Sequence, residues 1–228
     1  MDEPLTAIEH YRSVLKQAPD SNEALLELAE ALIARNDIDE AAPLLQTLVG
    51  RDPLNAKGRV AQLWVRLARR ELDEAKADIY ELLEDLPNDA NVQLGLTRIY
   101  RVLGDLDNAR LLLRRAGENA GFNADQLYGI AREQLSLGDA SKAQWAITKA
   151  LNGNPRHMDA LAYRVRVLLA LDRLEDAKVA LTELQDVYPQ RSETHFVAGD
   201  LLRAGGDRAA AVAEYELAYQ AAPSRITV

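Results

Sequence analysis

The chain has 228 residues, of which 48% are hydrophobic and only 5% aromatic, and it carries a net charge of −9. This composition excludes a disordered chain and favours helices. The negative charge argues against a general nucleic-acid binder, and the lack of cysteine excludes disulfides, thiolate catalysis and cysteine metal sites.

Membrane and export signals are also missing from the sequence. No apolar run approaches 18 residues, so the sequence predicts no membrane span. The start "MDEPLTAIEHYR" has no basic segment followed by an apolar one, although a signal already removed would leave no trace. A chain without cysteine suits both the cytosol and the periplasm, so the compartment stays open.

The sequence nearly repeats itself every 34 residues. "LGDLDNARLLLRRA" at 103–116 returns as "LGDASKAQWAITKA" at 137–150. Prolines keep the same interval, with Gly121 in the one missing place, at Pro19, Pro53, Pro87, Pro155, Pro189 and Pro223. So do alanines, at Ala41, Ala75, Ala109, Ala143, Ala177 and Ala211. Two agreeing registers indicate stacked copies of one supersecondary unit.

Each period predicts two amphipathic helices. In residues 124–157, Leu127 and Ile130 lie on one face of the first helix. Gly138 interrupts it, because glycine accepts the left-handed conformation beyond a helix end. Ala143 belongs to the second helix, and a small residue at this position allows two helices to cross closely. Pro155 ends the unit.

This pattern resembles the tetratricopeptide repeat, a 34-residue helix-turn-helix unit. The third copy matches through Leu96, Tyr100, Gly104, Ala109, Leu113 and Ala116, and the last through Gly199, Gly206, Ala211, Tyr215, Ala218 and Pro223. The resemblance covers nearly the whole chain. It implies an all-α, right-handed superhelical solenoid whose first helices, A, line a concave groove.

Counted from the prolines, one solenoid occupies residues 1–225, with a tail at 226–228. The predicted full repeats are 22–55, 56–89, 90–123, 124–157, 158–191 and 192–225. Residues 1–21 match only a second helix, B, through Ala7, Tyr11 and Val14. We therefore expect either a segment of a longer bacterial array, whose end surfaces stack on adjoining repeats, or a chain whose ends are covered by another chain.

Three places depart from the pattern. In the second repeat, Arg59, Gln62 and Arg66 occupy positions that the family fills with apolar residues, which predicts a rotated first helix. The segment 116–125 has two glycines and no proline, which predicts either a slightly longer loop or a hinge. Arg164 occupies a normally buried position and should find a carboxylate or carbonyl partner, or reach the edge.

No pattern points to catalysis, a cofactor or a metal. His10, His157 and His195 are isolated, and there is neither a phosphate-binding glycine loop nor a G-x-S-x-G elbow. The carboxylates of "ELDEAKADIYELLEDLP", including Asp78 and Glu81, are expected on a solvated helix face. We therefore expect a non-enzyme.

The resemblance directs attention to the groove positions of the first helices. The ninth position of the six repeats reads Glu30, Trp64, Arg98, Arg132, Arg166 and Asp200. The three arginines at this position, Arg98, Arg132 and Arg166, form what we call the arginine ladder. The candidate partner-binding residues are these arginines with neighbouring cationic and aromatic residues, namely Trp64, Arg98, Arg101, Tyr128, Arg132, Arg166 and Phe196. The ladder either binds an acidic peptide or anionic polymer, or forms salt bridges between repeats with Asp125 and Asp159.

The lysine–asparagine carboxylate clamp of chaperone-binding relatives is absent from the fifth and ninth positions. The resemblance implies a non-catalytic scaffold that holds a protein or peptide in its groove. By analogy with long arrays of this family, we expect a place in a bacterial envelope assembly such as exopolysaccharide secretion, with the periplasm slightly favoured. The alternative is direct binding of an anionic polysaccharide or small acidic ligand.

A second stripe lies on the B helices. Leu111, Trp145 and Val179 share one position that normally faces solvent. They form either an apolar convex patch or, as we prefer, a buried row after a small rotation of the helices.

Overall fold

The computed structural model describes residues 3–222, and all regular structure in this range is helical. The helices are α1 (Glu3–Gln17), α2 (Asn22–Ala34), α3 (Ile38–Arg51), α4 (Ala56–Ala68), α5 (Leu72–Asp85), α6 (Ala90–Val102), α7 (Leu106–Asn119), α8 (Ala124–Ser136), α9 (Ala140–Gly153), α10 (Met158–Ala170), α11 (Leu174–Val187), α12 (Ser192–Ala204) and α13 (Arg208–Ala221). Pro223 and the predicted tail lie outside the described residues. None of the described helices is long and apolar enough to cross a bilayer.

The chain forms two compact units, Met1–Asn119 and Ala120–Val228. In the first, α1 packs against α2, and the pairs α2–α3, α4–α5 and α6–α7 follow. In the second, the pairs are α8–α9, α10–α11 and α12–α13, and α10 packs against both α8 and α12. Each unit is thus a solenoid of helical hairpins, as the sequence predicted for the fold class.

The helix starts keep the period of the sequence. The first helix of each pair has 13 residues and the second has 14. The residue before each first helix recurs at Ser21, Asn55, Asp89, Asn123, His157 and Arg191. Five of these six side chains accept a hydrogen bond from a backbone N–H in the first turn, and Arg191 is the exception. Such caps satisfy donors that have no partner within the helix.

The repeated alanine of the second helix is buried in every pair. Ala41, Ala75, Ala109, Ala143, Ala177 and Ala211 are each at most 2% exposed. A small side chain at a buried position lets the two helices of a pair approach closely. The burial expected at this position is therefore confirmed.

The turn between the two helices of each pair depends on one left-handed residue. Its φ is positive in all six pairs, at Asn36 (64°), Arg70 (61°), Gly104 (79°), Gly138 (81°), Asp172 (56°) and Gly206 (89°). Glycine adopts this conformation without strain, and asparagine and aspartate tolerate it. Arg70 is the strained member of the set.

Ion pairs join the two helices of the second repeat. Arg59 of α4 pairs with Asp85 of α5 at 2.5 Å and with Glu81 at 3.6 Å. Arg66 pairs with Asp78 and, at 3.3 Å, with Glu71. The prediction that these carboxylates form a solvated face is wrong for Asp78, whose side chain is 31% exposed, because α4 directs its arginines toward α5.

The segment around Gly121 contains the boundary between the two units. Its loop, residues 120–123, has four residues, as do 52–55, 86–89 and 154–157, so the prediction of a longer loop is wrong. Gly121 has a φ of 55° at the position that proline occupies in the other copies, which lets the chain turn within the usual length. The hinge stays a prediction.

Arg164 pairs with a carboxylate, as its position in the repeat predicted. It pairs with Glu183 of α11, and its side chain is 26% exposed. The long side chain reaches out of the hairpin interior and keeps its charge near solvent.

The close helix crossing gives a first prediction. Ala143→Phe should lower the free energy of unfolding by about 1–3 kcal/mol, because the larger side chain overpacks a site that is 0% exposed. Urea denaturation followed by circular dichroism measures the change. Ala213→Phe, at an exposed position of α13, is the matched control and should have little effect. Equal stability of Ala143→Phe and wild type would show that the crossing is elsewhere.

The strained turn gives a second prediction. Arg70→Gly should raise the free energy of unfolding by about 0.5–1 kcal/mol, since relief of left-handed strain exceeds the extra entropy of glycine in the unfolded chain. Thermal and urea unfolding measure the change. Asn36→Gly should gain less, because asparagine tolerates the same φ. A loss of stability in Arg70→Gly contradicts the assignment of strain.

Candidate functional site

The first helices of the second unit, α8, α10 and α12, bring the predicted groove positions together. Tyr128 and Arg132 lie on α8, Arg166 lies on α10, and Phe196 lies on α12. All of these except Arg132 are half-buried, and Arg132 is exposed. Because α10 contacts both of its neighbours, these side chains belong to one packed row of three helices.

At one end of the row, a guanidinium group lies over an aromatic pair. The Cζ atom of Arg132 is 5.7 Å from the centroid of the Tyr128 ring. The ring of Tyr163, on α10, meets Tyr128 edge-on, with centroids 5.6 Å apart and planes at 84°. Stacking of this kind holds a guanidinium group in place and leaves its N–H edge able to donate to a ligand.

The repeat pattern did not predict Tyr163 as a groove residue, because Tyr163 follows the fifth position of its repeat and does not occupy it. Burial raises the pKa of both phenols, Tyr128 and Tyr163, while the charges of Arg132 and Arg166 act in the opposite direction. Both hydroxyl groups are therefore neutral hydrogen-bond donors at neutral pH.

At the other end of the row, Arg166 is paired in two ways. Its Cζ atom lies 4.8 Å from the centroid of the Phe196 ring, and its Nε atom lies 3.5 Å from a carboxylate oxygen of Asp200. Asp200 also accepts a hydrogen bond from the Tyr215 hydroxyl at 2.9 Å and pairs with Arg203 at 3.4 Å. The carboxylate side chain is only 17% exposed.

Asp200 thus occupies a ladder position with the opposite charge. The prediction that Asp125 and Asp159 would be the bridging partners of the ladder is wrong for Arg166, whose salt bridge is made with Asp200. Asp125 instead bonds the Nε2 atom of His157 at 2.8 Å. Arg166 therefore makes a salt bridge between repeats, and its partner lies in the repeat that follows.

The histidines have structural partners. The Nδ1 atom of His157 accepts from the backbone N–H of Ala160 at 3.1 Å and caps α10, and its ring lies 6.0 Å from that of Tyr128. His195 contacts Glu214 at 2.8 Å. Within residues 3–222, no group of three or more histidine, cysteine or acidic side chains is arranged to hold a metal ion.

The remaining predicted residues lie in the first unit. Trp64 is half-buried against the core of α4 to α7, and Arg101 is exposed. Arg98 is half-buried, and its charge, with that of Lys57, opposes the rise in the pKa of Glu30 that burial causes. Since Arg98 belongs to one unit and the other two ladder arginines to the other, a continuous ladder stays a prediction.

The stripe on the B helices is not buried, so the preferred interpretation of it is wrong. Trp145 is 52% exposed and Val179 is 61% exposed, and Leu111 is half-buried. The helices keep the usual orientation because the repeated alanine, and not this position, occupies the crossing. Two exposed apolar side chains therefore lie on second helices of the second unit.

The chain matches models of one protein family over most of its length. Tetratricopeptide repeat models match residues 2–63 and, in two overlapping matches, residues 128–180 and 164–226. These matches together span well over half of the chain. The chain belongs to the tetratricopeptide repeat family. A search of curated proteins found no significant match.

Solved structures agree on the fold. The chain is similar to a tetratricopeptide repeat protein from Parabacteroides merdae, with TM-score 0.59 and 13% identity over 96% of this chain and 87% of that one. It is similar to PilW, a type IV pilus biogenesis factor, with TM-score 0.60 and 16% identity over 89% and 94%. It is similar to YrrB, described as having an unusual peptide-binding site, with TM-score 0.51 and 17% identity over 78% and 92%.

The Asp200 network gives a third prediction. Asp200→Asn should lower the free energy of unfolding by about 1–3 kcal/mol, because a poorly exposed carboxylate that accepts two hydrogen bonds and pairs with Arg166 loses its charge. Urea denaturation measures the loss. Asp107→Asn is the control, since that carboxylate is fully exposed and meets Arg110 only at 4.0 Å. Equal effects of the two substitutions would contradict a structural role for the network.

Proposed function

We propose that this chain is a non-catalytic scaffold that holds a segment of a partner protein along α8, α10 and α12. Tetratricopeptide repeats serve in general as protein-interaction scaffolds. The observation that carries the proposal is the stacking of Arg132 over Tyr128 and of Arg166 over Phe196, at 5.7 Å and 4.8 Å. Two prepositioned cations beside half-buried rings fit a peptide that offers both carboxylates and apolar side chains.

The physical reason is preorganisation. A flexible arginine loses rotamer entropy when it binds a ligand, and stacking on a ring removes part of that freedom before binding. The rings add apolar surface that a peptide side chain can cover. Because Asp200 neutralises part of the charge of Arg166, the row is less suited to a purely anionic polymer than to a polypeptide of mixed character.

The envelope setting is the finer part of the proposal. It is supported by analogy with long arrays of this family in bacterial envelope assemblies, including exopolysaccharide secretion. PilW, whose fold is similar, is a pilus biogenesis factor. Crosslinking in the native cell, followed by identification of the crosslinked peptides, tests this part separately from the groove.

The groove is tested with peptides selected from a random dodecamer library on the immobilised full chain. Tyr128→Ala and Phe196→Ala should each weaken a selected peptide about tenfold, through loss of an apolar anchor. Arg132→Ser with Arg166→Ser should weaken acidic peptides about tenfold to a hundredfold and flatten the salt dependence. Fluorescence anisotropy measures the dissociation constants.

Two matched controls lie away from the row. Tyr219→Ala removes an aromatic residue that is 53% exposed on α13, and Arg110→Ser removes a cation that is 58% exposed on α7. Neither should change the affinity by more than about twofold. Equal losses in controls and groove variants would overturn the proposal.

The alternative ligand class has its own probe. Alginate, an acidic polysaccharide, is titrated against the same variants. Tight binding of alginate that depends steeply on salt and is indifferent to Tyr128→Ala would favour the polysaccharide and count against the protein scaffold.

A further inference from the structure

Two exposed surfaces outside the groove carry aromatic side chains and opposite charges. The first, here the basic patch, consists of Phe122, Trp145 and Lys149 in the second unit. The second, here the acidic patch, consists of Tyr80, Glu81 and Glu84 on α5 in the first unit. Neither takes part in the function proposed above.

The basic patch is a cation between two exposed rings. The Nζ atom of Lys149 lies 5.0 Å from the centroid of the Trp145 ring and 5.6 Å from that of Phe122. Phe122 is 67% exposed and Trp145 is 52% exposed. The sequence of α9 contains no acidic residue at all. Contiguous exposed apolar groups mark interaction sites more often than single ones do, and aromatic residues are enriched at protein interfaces.

The acidic patch has the complementary character. Tyr80 is 73% exposed, and Glu81 and Glu84 follow it on the outer surface of α5. The sequence of α5 contains six acidic residues and one lysine. Glu81 keeps a side chain that is 70% exposed even though it contacts Arg59.

We infer that the basic patch of one copy of this chain docks on the acidic patch of a second copy. Tyr80 would lie against the Trp145 and Phe122 rings, and Glu84 would meet the Lys149 ammonium. A single contact between two copies would thus combine aromatic contacts with one pair of opposite charges. Since the two patches differ, the contact is heterologous. Each copy can therefore bind one neighbour through its basic patch and a second neighbour through its acidic patch.

The expected association is weak and has a characteristic salt dependence. Each copy carries a net charge of −9, so whole-molecule repulsion opposes contact at low salt. At about 0.1 M salt the repulsion is screened beyond about 10 Å, while the charge pair in contact is screened less. Self-association should therefore be strongest at intermediate ionic strength and fall again in high salt.

Sedimentation velocity of the full chain over a concentration series tests the inference. Wild type should show a concentration-dependent rise in mean mass. Trp145→Ser and Tyr80→Ser should each weaken the association at least tenfold. Lys149→Glu and Glu84→Lys should do the same, and the double variant Lys149→Glu/Glu84→Lys should recover it. Lys16→Glu, an exposed lysine on α1, is the charge-matched control.

Mixing the two defective proteins distinguishes this contact from nonspecific aggregation. Trp145→Ser keeps only an intact acidic patch, and Tyr80→Ser keeps only an intact basic patch. An equimolar mixture should form a dimer of one of each and stop there, while each protein alone stays monomeric. A wild-type chain that is monomeric at all concentrations, or variants that associate as wild type does, would overturn the inference.

Circular dichroism and melting of each variant exclude loss of fold as the cause. The test is also independent of the groove, because Tyr128→Ala and Phe196→Ala leave both patches unchanged. Their loss of peptide binding without loss of self-association would separate the two proposals.

Discussion

The close crossing of two helices at a buried alanine is the constraint on which this structure depends. With nothing larger than a methyl group at the crossing, the two helices of each pair approach at one fixed place. A capped helix of 13 residues, a left-handed turn and a helix of 14 residues then fill the 34-residue period. Residues one period apart occupy equivalent places on neighbouring hairpins of a unit.

The proposed function depends on what the chain places at those equivalent positions. Along the first helices of the second unit, it alternates rings and guanidinium groups so that each cation rests on a ring. Asp200 ends the row with a carboxylate that is held by Arg166, Arg203 and Tyr215. Along the second helices, the same regularity leaves Trp145 exposed, because α9 buries the face that carries Ala143, Ile147 and Ala150. One geometry thereby presents two chemically different surfaces.

Much of this could be predicted from the sequence, for a physical reason. Helix pairs, turns and the buried alanine depend on local chemistry that recurs six times. A copy that departs from the pattern can therefore be assigned from the other copies. The 34-residue period also located the fifth and ninth positions of each repeat, and hence Tyr128, Arg132, Arg166 and Phe196.

What the sequence could not supply were contacts between side chains from different periods. Arg166 has acidic residues nearby in sequence, yet its partner is Asp200, 34 residues later, because the next first helix packs alongside. Tyr163 joins Tyr128 across the same interface. The loop at Gly121 was misjudged because a missing proline suggested extra length, whereas one positive φ makes the turn in four residues.

Hydrogen–deuterium exchange of the full chain, with and without a saturating selected peptide, tests the central claim most directly. The account predicts slower exchange in α8, α10 and α12, where the peptide covers the first helices, and unchanged exchange in α9 and α13. Protection confined to second helices, or spread evenly over both units, would contradict a groove formed by the stacked rings and arginines.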